Sequence, residues 1–176
     1  MKKVILSIGV PASGKTTALK AFADQNGYAY ISSDGIRVEL TGDITDQSRN
    51  KDVWAEAYRR TKDFLERGEN VVFDATFSNP DQRREFIDFV RNNGADKVQG
   101  IFLDVSLETA QERNRSRERV VPDYVLERMH QSIKDSPPRI EDGFDSVFTL
   151  DEYQELLRAE LAREGEDLSK EFKKRS

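Results

Sequence analysis

The sequence predicts an α/β domain built on a parallel sheet, and three observations carry that prediction. Apolar runs of strand length alternate with segments of helical period along the chain. A glycine-rich stretch joins the first such strand directly to the first helix. The length, 176 residues, suits one domain with a single core and leaves little room for another. Strands separated by helices become parallel neighbours through right-handed crossovers, so a sheet of four to five strands flanked by helices is expected.

The elements follow in order. "KKVILSI" at the N-terminus reads as a short buried strand. Gly14 to about Gln25 reads as a helix with Ala18, Leu19 and Phe22 on one face. "YAYIS" is a second strand, and a short helix is expected to start near Asp34. "DVWAEAYRRTKDFLERG" carries Trp54, Tyr58, Phe64 and Leu65 at helical spacing, with Gly68 as its stop. "NVVFDA" is a third strand. Pro80 opens the helix "DQRREFIDFVRNNG", which Asn93 and Gly94 close. "VQGIFLDV" is a fourth strand, followed by helices from Ser106 to about Arg117 and from Pro122 to about Lys134. "SVFTL" supplies a fifth strand, and a charged helix with Leu156, Leu157 and Leu161 ends the domain near residue 164. Residues 165–176 are mostly charged, a composition compatible with partial disorder.

Composition narrows the function. The chain has no cysteine, which excludes a disulfide framework and a thiolate metal site. No apolar run approaches the roughly 18 residues a membrane span needs. The opening lysines and apolar run imitate a secretory signal, but they lead straight into the glycine loop without a small-residue cleavage site. The expectation is a soluble protein of a reducing cytoplasm, the host's if the gene is a phage's, with no membrane partner. The net charge of −5 gives no global basic field, so any nucleic-acid partner must be met by local positive charge. His130 is the sole histidine and lies in an amphipathic helix, which points to a structural role. Trp54, Phe64, Phe86 and Phe89 sit at helical spacing and read as core. Nothing in the sequence supports a homo-oligomer, though nothing forbids one.

"GVPASGKTT" has the form G-x-x-x-x-G-K-T, with a strand before it and a helix after. Loop N–H groups and the helix N-terminus surround phosphate oxygens in such a motif. Gly9, Pro11, Ala12, Ser13, Gly14, Lys15, Thr16 and Thr17 form the expected cradle. Lys15 would reach the β- and γ-phosphates of ATP, and the Thr16 hydroxyl would bind Mg²⁺.

Other candidates have two readings each. Asp34 could accept a proton from an acceptor hydroxyl, or serve as a helix N-cap. Arg37, one turn on, could hold an anionic acceptor or form an exposed ion pair. Asp74 and Asp104 both end strand-like runs, and either could be the acidic group near the metal. Arginines 113, 115, 117 and 119 form a basic run, either a solvated face or a lid that neutralises a migrating phosphoryl group.

Taken together, the chain resembles the polynucleotide 5′-hydroxyl kinase family, the P-loop kinase domain of phage and bacterial end-healing enzymes. The resemblance runs in order through "GVPASGKTT", "SSDGIR" for Asp-x-x-Arg, "DAT", "RNRSR" for Arg-Asn-x-x-Arg, and "VVPDYVLERM". It implies a single P-loop kinase domain with a helical, arginine-bearing lid, using ATP and Mg²⁺ to phosphorylate 5′-hydroxyl ends of RNA or DNA. Lys15 and Thr16 would bind phosphate and metal. Asp34 would be the general base, and Arg37 would contact the acceptor's phosphate and help organise the site. Asp74 would be the essential aspartate after the third strand. Arg117 would be the lid arginine, with Arg113 its lesser companion. Two departures stand out. Thr76 and Phe77 occupy positions where the family often has asparagine, and no D-x-D-x-T phosphatase motif occurs, so kinase activity without end-trimming is expected. A small-molecule or nucleoside kinase of the same fold is the alternative. An ATP-binding switch is a third reading, which Asp34 and the arginine run oppose because a switch needs no acceptor base.

Overall fold

In the computed structural model, which describes residues 1–11, 15–117 and 120–175, five strands form one all-parallel sheet. The strands are β1 (Lys3–Ile8), β2 (Ala29–Ser32), β3 (Val71–Asp74), β4 (Lys97–Phe102) and β5 (Ser146–Thr149), in the spatial order β2-β3-β1-β4-β5. The helices are α1 (Lys15–Asn26), α2 (Ser33–Thr41), α3 (Asn50–Glu66), α4 (Pro80–Asn92), α5 (Leu107–Arg115), α6 (Asp123–Asp135) and α7 (Leu150–Arg175). This is the expected α/β architecture, with β1 at the centre of the sheet.

Strand alternation divides the core between two faces. Val4, Leu6 and Ile8 of β1 and Val71 and Phe73 of β3 pack with Val53, Ala57, Phe86, Val90, Leu126 and Ile133 of α3, α4 and α6. Ile5, Val72 and Ile101 face the other way, against Leu19, Phe22 and Ala23 of α1 and Tyr153 of α7. Of the aromatics expected in the core, Phe86 is buried and meets Phe73 at 4.6 Å between ring centroids, while Trp54, Phe64 and Phe89 are half-buried and pack against the core, Trp54 stacking on Phe73 at 5.8 Å.

Local chemistry sets the helix ends. Asn79 caps α4 by accepting from the Asp81 and Gln82 N–H groups, and Pro80 follows it at the first helical position. After α3, Gly68 adopts φ 79°, a conformation that side chains with a Cβ avoid, and its N–H returns to the Leu65 carbonyl. β4 stops at Phe102, so the strand read through Val105 is three residues too long. α7 continues as helix to Arg175, through the charged stretch where partial disorder was expected. Its many Glu, Lys, Arg, Leu and Ala residues have high helix propensity. From Arg158 onward every described residue is exposed.

Candidate active site

Ligands in open parallel sheets bind beyond the carboxyl ends of the strands. Here the ends of β2, β3 and β1 lie side by side, and each carries a predicted element: Asp34 after β2, Asp74 at the end of β3, the glycine loop after β1. The loop leaves β1 at Gly9, whose N–H donates to the Thr76 carbonyl at 3.2 Å, and Val10 is buried against the core. Ala12, Ser13, Gly14 and the Lys15 side chain lie outside the described residues, as does Arg119. The backbone of Lys15 opens α1, which places Thr16 and Thr17, both exposed, in its first turn.

On the face of the sheet that α1 covers, each strand changes from apolar to polar at its carboxyl end. β1 runs from Ile5 to Ser7, β3 from Val72 to Asp74, and β2 from Tyr30 to Ser32. Ser32 and Asp74 are register partners. Asp74 is buried, with 3% exposure. Its Oδ1 accepts from the Ser7 hydroxyl at 3.3 Å and its Oδ2 from the Tyr30 hydroxyl at 2.5 Å. Ser7 also accepts the Ala75 N–H at 3.2 Å. Burial, then the adjacent Asp74 charge, holds the Tyr30 phenol above its ordinary pKa, so it remains a donor at neutral pH.

Asp34 sits in the first turn of α2, half-buried. It is not the N-cap: Ser32 fills that position, its hydroxyl accepting the Gly35 N–H at 3.1 Å. The extended backbone of the last β2 residue presents Ser32 to the cap, which moves Asp34 on into the turn. Arg37 is 5% exposed. Its terminal nitrogens donate to the Asp46 carbonyl at 3.2 Å and to Asn50 Oδ1 at 2.9 Å. It thus ties α2 to the segment leading into α3, and its Nε has no partner among the described residues. It is therefore not the exposed ion pair allowed by the sequence.

Of the two aspartates, Asp74 ends a strand, whereas Asp104 lies two residues beyond β4 and is exposed. The arginine run spans the end of α5 and the turn after it. Arg113 and Arg115 are exposed, and Arg117 is half-buried with one terminal nitrogen buried and unpartnered among the described residues. Asn114, fully buried, bridges the turn: its Nδ2 donates to the Val121 carbonyl at 2.7 Å and its Oδ1 accepts the Val121 N–H at 3.0 Å.

A cavity of 330 Å³ opens beside Val10, between the end of β4 and α6. Phe102, Asp104, His130, Ile133 and Lys134 are among the residues that line it. His130, read as structural, is therefore part of a cavity wall one helical turn from Lys134.

Oxygen is the only donor type in the cluster of Ser7, Thr16, Tyr30, Ser32 and Asp74. No group of three or more His, Cys, Asp or Glu side chains that could cage a metal occurs among the described residues. That donor set fits Mg²⁺, which usually takes one or two protein ligands and completes its shell with phosphates and water.

Sheet order, loop and helix placement define the fold of the P-loop kinases. The chain matches the AAA domain model (AAA_33) over residues 4–136 and belongs to that family. It is 29% identical over 118 residues to a mimivirus protein, from Acanthamoeba polyphaga mimivirus, whose name describes a bifunctional polynucleotide phosphatase/kinase. That match covers 66% of this chain and 24% of the relative, so the chain spans about a quarter of the relative's length. A chain of the Pnkp1/Rnl/Hen1 RNA repair complex superposes with a TM-score of 0.69 at 16% identity, over 82% of this chain and 46% of that one. A gluconokinase from Sinorhizobium meliloti gives 0.56 at 24% identity, over 94% and 95%. No helix among the described residues is long and apolar enough to cross a membrane.

Sequence reasoning missed Tyr30, Ser7 and Asn114 as partners of the site. Period-two alternation could have shown that Ser7, Ser32 and Asp74 share a face. The Tyr30 hydroxyl was hidden because its ring reads as core.

Proposed function

We propose that this protein transfers the γ-phosphoryl group of ATP to the 5′-hydroxyl end of RNA or DNA. The observation that carries the reading is the adjacency of three strand ends: Asp34 follows β2, Asp74 closes β3, and the phosphate loop leaves β1. In this reading the base, the nucleotide cradle and the anchored carboxylate share one edge of the sheet. The similarity to the mimivirus protein and to the RNA repair complex supports a polynucleotide acceptor.

The chemistry is an in-line displacement. The acceptor 5′-oxygen bonds to the γ-phosphorus while the bond from that phosphorus to the β–γ bridging oxygen breaks, and ADP leaves. Asp34 takes the hydroxyl proton. Lys15 and Arg117, with Arg113 in a lesser role, offset charge on the phosphoryl oxygens. Thr16, with Asp74 behind it, would hold Mg²⁺, which neutralises charge on the β- and γ-phosphates when bound. Arg37 contributes by fixing the connection between α2 and α3 at the acceptor side.

The test is transfer of labelled γ-phosphate to a 5′-hydroxyl oligonucleotide, with Asp34→Ala as the decisive variant. Asp34→Ala should lower transfer by about 10²–10⁴-fold and leave ATP affinity nearly unchanged. An active Asp34→Ala enzyme removes the base assignment. The full-length match to the gluconokinase and the acidic net charge of −5 favour a second reading, a small-molecule kinase. In that case label reaches a small alcohol and never the oligonucleotide.

A further inference from the structure

We propose that the Tyr30 hydroxyl is a positioning group for the nucleotide-bound metal, acting through Asp74. The inference rests only on the nucleotide-binding part of the reading above and needs no particular acceptor.

Tyr30 belongs to two environments at once. Its ring packs against the apolar layer formed by Ile5, Val72 and the α1 side chains. Its hydroxyl reaches past that layer to the polar strand ends and donates to Asp74 Oδ2 at 2.5 Å. Ser7 supplies the second donor, at 3.3 Å to Oδ1. The Tyr30 donor on Oδ2, with the Ser7 hydroxyl shared between Oδ1 and the Ala75 and Phe73 carbonyls, restrains the rotamer and plane of a carboxylate that is 3% exposed. Each carboxylate oxygen has more than one lone pair, so a hydroxyl donor on it leaves room for a metal or its water. Hydrogen-bonding partners of this kind orient metal-binding groups, and their loss commonly lowers metal affinity.

The geometry also separates this role from simple packing. Phenylalanine at position 30 keeps the ring, the apolar contacts and the strand propensity, and removes one oxygen. If the hydroxyl only satisfies a buried carboxylate, its loss lowers stability and nothing else. If it orients Asp74 toward the metal, its loss lowers the metal-dependent part of nucleotide affinity.

The experiment is ATP binding by calorimetry to the full chain and to Tyr30→Phe, in excess Mg²⁺ and in EDTA. The expected result is an affinity loss of about tenfold in Mg²⁺, the scale of lost orienting partners, with no more than a twofold change in EDTA. Ser7→Ala should show the same asymmetry, because it removes the hydroxyl that contacts the other oxygen of the same carboxylate. An equal loss in both conditions, or no loss in Mg²⁺, overturns the proposal. If Tyr30→Phe is too unstable to measure, Ser7→Ala decides by the same criterion. A parent chain that binds no ATP overturns both this inference and the reading on which it rests. A parent that binds ATP but phosphorylates no oligonucleotide overturns the acceptor alone.

Discussion

Arg83→Met should be among the most damaging single substitutions outside the glycine loop. Arg83 has no exposed surface, and its guanidinium donates in three directions. Nε reaches Asp142 Oδ2 at 3.1 Å, one terminal nitrogen the Phe77 carbonyl at 2.8 Å, and the other the Ser136 carbonyl at 2.6 Å. One side chain thereby joins the segment after β3, the end of α6 and the turn before β5. Burial pushes the guanidinium pKa down and the Asp142 charge opposes that shift, so the ion is desolvated but compensated. Breaking a buried pair by removing one partner costs about 3–5 kcal/mol. Asp142 keeps the Arg139 N–H and a longer contact with Arg84, at 3.6 Å. The lower figure, about 3 kcal/mol, is therefore expected, a large share of the roughly 5–15 kcal/mol of a typical domain. At about 2–4 °C per kcal/mol for a chain of this size, the melting temperature should fall by roughly 6–12 °C. Urea unfolding followed by circular dichroism measures the loss. Arg83→Lys should not rescue it, because a single ammonium cannot satisfy three acceptors spread around a planar fork. A loss below about 1 kcal/mol for the methionine variant, or full stability in the lysine variant, refutes the reasoning.

Two further substitutions test the frame around the site. Asn114→Ala strips both partners from the buried Val121 backbone, so urea unfolding should show a loss of about 1–3 kcal/mol. Because Arg117 lies in the turn that Asn114 bridges, the turnover number for phosphoryl transfer should fall more than ATP affinity does; unchanged stability or turnover contradicts this. Asp145→Asn tests a pH dependence. Burial raises the Asp145 pKa, but the Val98 N–H and Arg91 outweigh it and hold the pKa below the usual value. The stability it contributes is complete above the unfolded value of about 3.9 and is lost as pH falls through the lower folded value. Its side chain is 40% exposed, so screening limits the effect to at most about 1 kcal/mol. The gap between parent and Asp145→Asn should be present at pH 6 and shrink by pH 3, and a constant gap would rule the linkage out.

What the sequence could disclose divides along the range of the interactions. Strands, helices and the phosphate loop follow from periodicity, caps and spacing within a few residues, and these were legible. Boundary errors arose where neighbours compete locally. Ser32, Ser33 and Asp34 can each cap a helix, and only the extended end of β2 decides for Ser32. Leu103, Asp104 and Val105 have strand-like character, but the ladder of β4 with β1 and β5 ends at Phe102. The site's supporting contacts span far greater distances. Tyr30 meets Asp74 across 44 positions, Ser7 meets it across 67, and Arg83 meets Asp142 across 59. Those pairs exist because of sheet register and loop closure, which no local window contains.

The central place of β1 has a consequence for how the chain is born. Residues 3–8 leave the ribosome well before their two sheet partners, residues 71–74 and 97–102. Until then a largely apolar segment, with Val4, Ile5, Leu6 and Ile8, waits without its ladder. The strand that leads into the glycine loop can be locked only once residues 97–102 have been made.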